Sequence, residues 1–399
     1  MAGLAGGGEV AVSDDGAGVA AALVARLQQG GYRAKVIHSE EELTEQTRIV
    51  IALNGLRAGN AETYNDICRD VFRLARAFAP RAAAGNCIFV SVQDCGGDFG
   101  LSGNERALLG SLAGLIKTAA QEWPKASLKT IDLARAGHDS DTSAGLIEAE
   151  LFQGGPDIEV GLHKDGVRTT LRSQREPISK EAPTTAVLPD NTVVVCSGGA
   201  RGVTAATMIA LAQAQPTRFA LLGRTPLQDE PEACRGVTGD AALKRALLAA
   251  ARARGEMVKP AQLGRQVARV LAQREIRNTI KHIQQTGGDA LYLAVDVTDT
   301  ASLAAALSTV RERWGSIDVV VHGAGVVADK LIAEKTDQQF ERVWSTKVAG
   351  FSALLKATAT DTLKALILFS SVAARSGNVG QCDYAMANEA LNKLAALEA

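Results

Sequence analysis

A chain of 399 residues, 46% of them hydrophobic, is long for one domain and comfortable for two, each with a sizeable core. Its 43 Lys+Arg against 44 Asp+Glu leave a formal net charge of −1, so no global field recommends nucleic acid or an anionic membrane as a partner. Six scattered cysteines (Cys68, Cys87, Cys95, Cys196, Cys234, Cys382) have no paired metal-ligand spacing, and neither a signal-like N-terminus nor a membrane-length apolar run is present; the reading is a cytoplasmic protein with reduced core thiols and no metal.

The first half alternates strand-like and helix-like segments. Strands are expected at Glu9–Ser13, Tyr32–His38, Arg48–Leu53, Cys87–Val92 and Leu128–Leu133, with helices at Ala17–Gln29, Ala61–Ala79 and Glu105–Glu122. In the long helix, Ile67, Val71, Leu74, Ala75 and Phe78 share one face. The alternation predicts a parallel doubly wound sheet. Asp14, Asp15 and Gly16 follow the first strand and offer carboxylates where a phosphate would sit, so this half reads as a Rossmann-like unit that holds no dinucleotide. Glu159–Arg172 predicts a hairpin around Lys164-Asp165-Gly166. Ser173–Asn191, with Pro177, Pro183 and Pro189, reads as the boundary, dividing the chain into 1–180 and 181–399.

The second half opens on Thr192–Thr204, where three valines predict a buried strand, Ser197, Gly198, Gly199 and Gly202 a turn, and Ala205–Ala214 a helix. Glycines let the main chain approach a pyrophosphate, and unpaired N–H groups at a helix start attract it. The same cluster also serves any tight strand-to-helix connection. Phe219–Leu222 is the next strand, ending at Gly223-Arg224-Thr225. Roughly 65 residues then precede the strand Leu291–Val295, well beyond an ordinary crossover. Helical periodicity over Ala241–Arg254 and Val267–Gln285 makes residues 226–288 a helical insertion. Helices Ala301–Trp314 and Gln338–Thr358, strands Val319–His322 and Ala365–Phe369, and a helix from about Tyr384 complete the pattern.

Asp296-Val297-Thr298 end the strand after the insertion, placed by topology to face an adenine, and His322-Gly323-Ala324-Gly325 end the next, where backbone must pass close to a cofactor. Lys347, the pair Ser370-Ser371, and Tyr384 with Asn388 one helical turn on supply the groups that a carbonyl reduction needs. A phenol keeps its proton to about pH 10, so a neighbouring cation such as Lys347 must lower that value before the phenol donates near neutrality. A serine hydroxyl can hold the substrate oxygen. Singly, Tyr384 is a helix-start aromatic, Lys347 a solvated charge, Ser371 a strand-end cap and His322 a pocket wall. Jointly, in this order behind a glycine loop, they read as a catalytic set. Arg224, a guanidinium just after the second strand, stands where a ribose 2′-phosphate would lie, which favours NADPH over NADH.

In these motifs the chain resembles the short-chain dehydrogenase/reductase superfamily, and specifically the ketoreductase domains of polyketide and fatty acid synthases. Ser197-Gly198-Gly199-Ala200-Arg201-Gly202 is similar to the family's cofactor loop, with Val203-Thr204 where many members have a third glycine. Ser371 and Tyr384 lie thirteen apart, and Tyr384-Ala385-Met386-Ala387-Asn388 matches Tyr-x-x-x-Asn. Synthase ketoreductases exchange the positions of lysine and asparagine relative to other members, as Lys347 and Asn388 do. Leu112-Ala113-Gly114-Leu115-Ile116-Lys117-Thr118 and Glu122-Trp123-Pro124 look like the structural subdomain of those enzymes, a truncated Rossmann copy that braces the catalytic half. The insertion, with Arg274-Glu275-Ile276, looks most like ketoreductases of polyunsaturated fatty acid synthases.

The resemblance implies an α/β fold of two Rossmann-like subdomains, the first structural and the second catalytic. It implies NADPH-dependent reduction of 3-ketoacyl groups on an acyl carrier protein, with other synthase domains as partners. Ser197 to Val203, Gly223, Arg224, Thr225, Asp296, Val297 and His322 to Gly325 would hold the cofactor, with Lys347 and Tyr384 beside it. Asp329 in Val327-Ala328-Asp329, and Ser376 where one facial class has tryptophan, favour a 3R product. The chain stops at Ala399, inside or just after the tyrosine helix, where the family continues, so its C-terminal end reads as truncated. Two other readings stand beside this one: a non-catalytic ketoreductase-like scaffold, and a free-standing reductase of small ketones.

Overall fold

The structure, a computed structural model, describes residues 7–135, 137–177 and 188–398. Of the expected boundary segment, 178–187 lies outside the described residues. The chain forms two compact units, one of Met1–Ala182, Val326–Val348 and Ser370–Ala399, the other of Pro183–Gly325 and Ala349–Phe369. A sequential division at residue 181 and this division differ, because the last segments of the chain pack into the core of the first sheet.

That first sheet has seven strands, β1 (Glu9–Ser13), β2 (Arg33–Ile37), β3 (Thr47–Gly55), β4 (Ile88–Gln93), β5 (Ser127–Leu133), β6 (Glu159–Leu162) and β7 (Arg168–Thr169). Their order is β2-β1-β3-β4-β5-β6-β7, parallel except for the expected hairpin β6–β7. The run Ile-Phe-Val-Ser-Val-Gln of β4 is buried throughout, as a parallel strand covered on both faces must be. Helices α1 (Val19–Gln29) and α4 (Ser140–Gln153) seal one face against Val10, Ile51, Val90 and Ile131. Helices α2 (Ala61–Ala84) and α3 (Leu112–Glu122) seal the other. The periodicity of α2 stops at Ala79, yet the helix runs through Pro80 to Ala84. The proline ring removes one N–H bond from the ladder, and Ala82 beyond it is still buried on the same apolar face.

The second sheet is wholly parallel, in the order β10-β9-β8-β11-β12. Strand β8 (Thr192–Ser197) leads to α5 (Gly202–Ala214) and β9 (Thr217–Gly223). The insertion follows as α6 (Asp240–Ala253) and α7 (Pro260–Gln285), the latter starting earlier than its apolar period because Pro260 suits a first helical turn. Cys234, Leu243, Val267 and Val270 give the insertion a small core of its own. Strand β10 (Asp289–Ala294), helix α8 (Thr300–Trp314) and β11 (Val319–His322) come next. The helix expected over 338–358 is three pieces: α9 (Asp337–Trp344), a π-helical turn Ser345–Ala349 and α10 (Gly350–Ala357), before β12 (Ala365–Leu368).

Helices α11 (Val372–Ser376) and α12 (Cys382–Leu397) return to the first unit, where α12 shares the core with α2, α3 and α9 and α11 lies against α3 and α12. Gly114 of α3 allows this closeness, since a Cβ there would lie 2.8 Å from the Ala385 carbonyl carbon and the Met386 nitrogen of α12. All six cysteines are buried and free. Among the described residues no helix is long and apolar enough to cross a membrane, and no group of His, Cys, Asp and Glu is arranged to hold a metal ion.

Candidate functional site

In the second unit, the glycine turn after β8 is packed backbone to backbone. Gly198 has φ +71°, and a Cβ on it would lie 2.8 Å from the Ala324 nitrogen and 2.9 Å from the Gly323 carbonyl carbon. A Cβ on Gly323 would in turn meet the Thr204 hydroxyl at 2.5 Å. Ser197 and the fully buried His322 join the two strand ends, Oγ to Nδ1 at 2.7 Å, and Ser197 Oγ also accepts from the Ala324 N–H at 3.3 Å. This is a tight main-chain cradle with no room for a Cβ on Gly198 or Gly323, and helix α5 starts at Gly202 (φ +62°) immediately beyond it. Its shape and its main-chain donors fit a nucleotide phosphate.

The other expected contacts are spread around the strand ends. Ala200 is buried, with its carbonyl accepting from Thr279, and Val203 is 76% exposed. The Gly223 carbonyl accepts from the Val295 N–H, and the Thr225 carbonyl from the Tyr292 hydroxyl. Arg224 is exposed with no ion pair among the described residues. Asp296 closes a turn on Thr298, and Val297 is buried. Gly325 is exposed. Arg201 is paired, its Nε donating to Glu275 Oε2 at 2.8 Å, while Glu275 Oε1 accepts the Gly202 N–H at 2.8 Å. Burial pushes the Glu275 carboxyl up, but these two donors hold it below the ordinary carboxylate range.

In the first unit the structure brings Lys347, Tyr384 and Asn388 together. The π-helical turn adds a residue to the helical ladder, a local rearrangement frequent at functional sites, and Lys347 sits on it, 3% exposed. Its ammonium lies 5.7 Å from the centroid of the Tyr384 ring, and burial lowers its pKa to about 8. Tyr384 is half-buried near the start of α12. One turn on, Asn388 Nδ2 donates to the Tyr384 carbonyl at 2.8 Å, and Asn388 Oδ1 is buried with no hydrogen-bond partner among the described residues. Ser371 caps α11, its Oγ accepting from the Ala373 N–H, and Ser370 Oγ donates to the Asn388 carbonyl. Asp329 accepts both of its contacts from Gln381 Nε2, at 3.1 Å each.

Sequence reasoning gave no role to Glu275, Glu122, Lys335 or Asp383. Glu122 and Glu275 stand inside quoted motifs, and Asp383 adjoins the tyrosine, but nothing local reveals their partners 48 to 258 residues away.

A family model described as "KR domain" matches residues 192–399. The chain is 34% identical over 326 residues, 78% of its length, to a polyunsaturated fatty acid synthase subunit of Thraustochytrium sp., and 27% identical over 72% of its length to polyketide synthase PksL of Bacillus subtilis. It spans 12% and 5% of the length of those relatives. The fold matches a ketoreductase domain from the bacillaene assembly line with a TM-score of 0.69 at 21% identity, covering 98% of this chain and 75% of that one. An A-type ketoreductase of a modular polyketide synthase matches with a TM-score of 0.67 at 20% identity, covering 98% and 77%.

Proposed function

The chain belongs to the KR domain family, and from that premise we propose that it reduces 3-ketoacyl groups, carried on an acyl carrier protein, to 3-hydroxyacyl groups at the expense of NADPH. The observation that carries the reading is the buried ammonium of Lys347 at 5.7 Å from the Tyr384 ring, with Asn388 one turn further. Tyr384 protonates the carbonyl oxygen and Ser371 orients it. Lys347 favours the phenolate that this leaves, and the unpartnered Oδ1 of Asn388 accepts from Lys347 or from a relay water. The main-chain cradle at Gly198 and the N–H groups at the start of α5 receive the pyrophosphate, with Arg224 and Arg201 as partners for a 2′-phosphate. Bound NADPH supplies the hydride. Asp329 favours the 3R product, and the sheet-bearing N-terminal half, whose first turn carries its own carboxylates, is the bracing part. The relatives are synthase proteins, which supports other synthase domains as partners.

One assay tests this reading: NADPH and NADH oxidation with a 3-ketoacyl thioester, with chiral analysis of the product, for the protein and its Tyr384→Phe variant. Turnover that prefers NADPH, yields the 3R alcohol and is lost in the variant is expected. Full turnover by Tyr384→Phe would remove the phenol from the mechanism, and a 3S alcohol would reverse the facial assignment alone. The pH profile adds a second check, because Lys347 gives up its proton as pH rises through about 8. Below that value the phenolate has its cation; above it the cation is lost. An alkaline decline of kcat centred near pH 8 is the expected outcome, and a flat profile to pH 10 would separate Lys347 from proton delivery.

A further inference from the structure

The last residue of α3, Glu122, is half-buried and reaches into the segments that flank Tyr384. Its Oε2 accepts the Ile332 N–H at 2.8 Å and its Oε1 accepts the Gly380 N–H at 2.9 Å. The two segments also hold each other, the Lys330 N–H donating to the Gly380 carbonyl at 2.9 Å. A second connection runs beneath. Lys335 Nζ donates to the Ala328 carbonyl at 2.6 Å and to Asp383 Oδ2 at 2.8 Å, and Asp383 Oδ1 accepts the Tyr384 N–H at 2.9 Å. Lys335 and Asp383 are each 1% exposed. Burial raises both carboxyls above their ordinary values, more than their donors pull them down.

One carboxylate bridging two main-chain N–H groups from segments 48 residues apart differs from a surface ion pair. Each oxygen has one donor, the bonds are charge-assisted, and water competes poorly for buried partners. Gly380, with φ +79°, turns the chain into α12, two residues before that helix begins. A shift at Gly380 is therefore carried to Tyr384 within one turn. The same carboxylate fixes Ile332, three residues from Asp329.

We propose that Glu122 is a positioning residue for the reduction, holding the start of the tyrosine helix and the Asp329 segment in one fixed arrangement. The assignment rests on the ketoreductase reading, and it gives the N-terminal half a specific point of action in the catalysis rather than a general bracing role.

The test is Glu122→Gln, which keeps shape and one acceptor but turns the other oxygen into a donor facing an N–H. The wild-type protein is assayed first; if it fails to turn over a 3-ketoacyl thioester, the ketoreductase reading falls before this one is reached. With active wild type, the expected result is a kcat about tenfold lower, since small displacements of reacting groups cost one to two orders of magnitude. KM for NADPH stays within about twofold, because ground-state nucleotide binding is not what the residue serves. Amide exchange accelerates at Ile332 and Gly380 and stays unchanged in β4 and β5. Lys335→Met, which cuts the second connection, lowers kcat in the same sense and covers the case in which a Glu122 variant does not fold. Unchanged kcat in folded Glu122→Gln overturns the proposal. So does a loss matched by accelerated exchange across β4 and β5, which is what a merely structural residue would give.

Discussion

The junction after β1 and the junction after β8 both lead from a buried parallel strand through glycines into a helix, and they treat the start of that helix differently. After β1, Asp15 is 1% exposed and its Oδ1 accepts the Ala20 N–H at 2.9 Å. The anion that a helix start attracts is built into the turn itself. After β8 the turn carries no acid, and the Gly202 N–H is met instead by Glu275, 42% exposed, from α7. The first junction is permanently occupied by its own sequence. The second is met by a half-exposed side chain from another element.

Space separates the two as well, and this gives the largest expected effect. Gly16 and Gly198 have nearly the same φ, +70° and +71°, yet a Cβ on Gly16 meets nothing within 4 Å while one on Gly198 meets main chain at 2.8 Å. Gly198→Ala adds a backbone clash to left-handed strain, together about 2–5 kcal/mol, and forces the turn apart from the Gly323–Ala324 backbone. Gly16→Ala adds the strain alone, about 1–2 kcal/mol. Chemical denaturation with parallel NADPH titration checks both: loss of binding confined to Gly198→Ala is expected, and equal binding by the two would erase the distinction.

Asp15→Ala probes the built-in anion. It leaves the Ala20 N–H without its buried acceptor, a loss of about 1–2 kcal/mol in stability. On the proposed reading the first junction has no part in holding a nucleotide, so NADPH affinity should not change. A denaturation midpoint equal to that of the wild type would mean that Asp15 does not serve the helix start.

Much of this difference was legible in the sequence, for definite reasons. Asp14-Asp15-Gly16 against Ser197-Gly198-Gly199 is a local contrast of charge and Cβ content, and alternating strand and helix periods gave both parallel sheets. That Lys347, Tyr384 and Asn388 come together was legible in part, because Asn388 follows Tyr384 by one helical turn. The π-helical turn under Lys347 was not, since an extra residue in a helical ladder leaves the apolar period nearly intact over a few turns. Nor was the docking of α12 into the first core, which depends on Gly114 meeting Ala385 across 271 positions of chain. Glu122 and Glu275 were visible as letters only. Glu122 accepts from two main-chain N–H groups and Glu275 from one beside Arg201, and a backbone donor has no sequence signature.

The smallest expected effect tests displaceability directly. On the proposed reading Glu275 competes with a nucleotide phosphate for the Gly202 N–H and for the Arg201 guanidinium, and both partners of that pair are about half exposed. Such a pair is worth little in water, on the order of 0.2–1 kcal/mol, so relieving the competition changes affinity by only a few fold. Glu275→Gln keeps the side-chain length and removes the charge. NADPH should then bind about two- to fivefold tighter, and NADH less so, because only NADPH brings a second anion to Arg201. Calorimetric titration at low ionic strength, where the pair is least screened, gives the clearest reading. Weaker NADPH binding by Glu275→Gln would mean that the acid orients Arg201 for the nucleotide instead of competing with it. The second junction would then resemble the first, each needing its carboxylate in place.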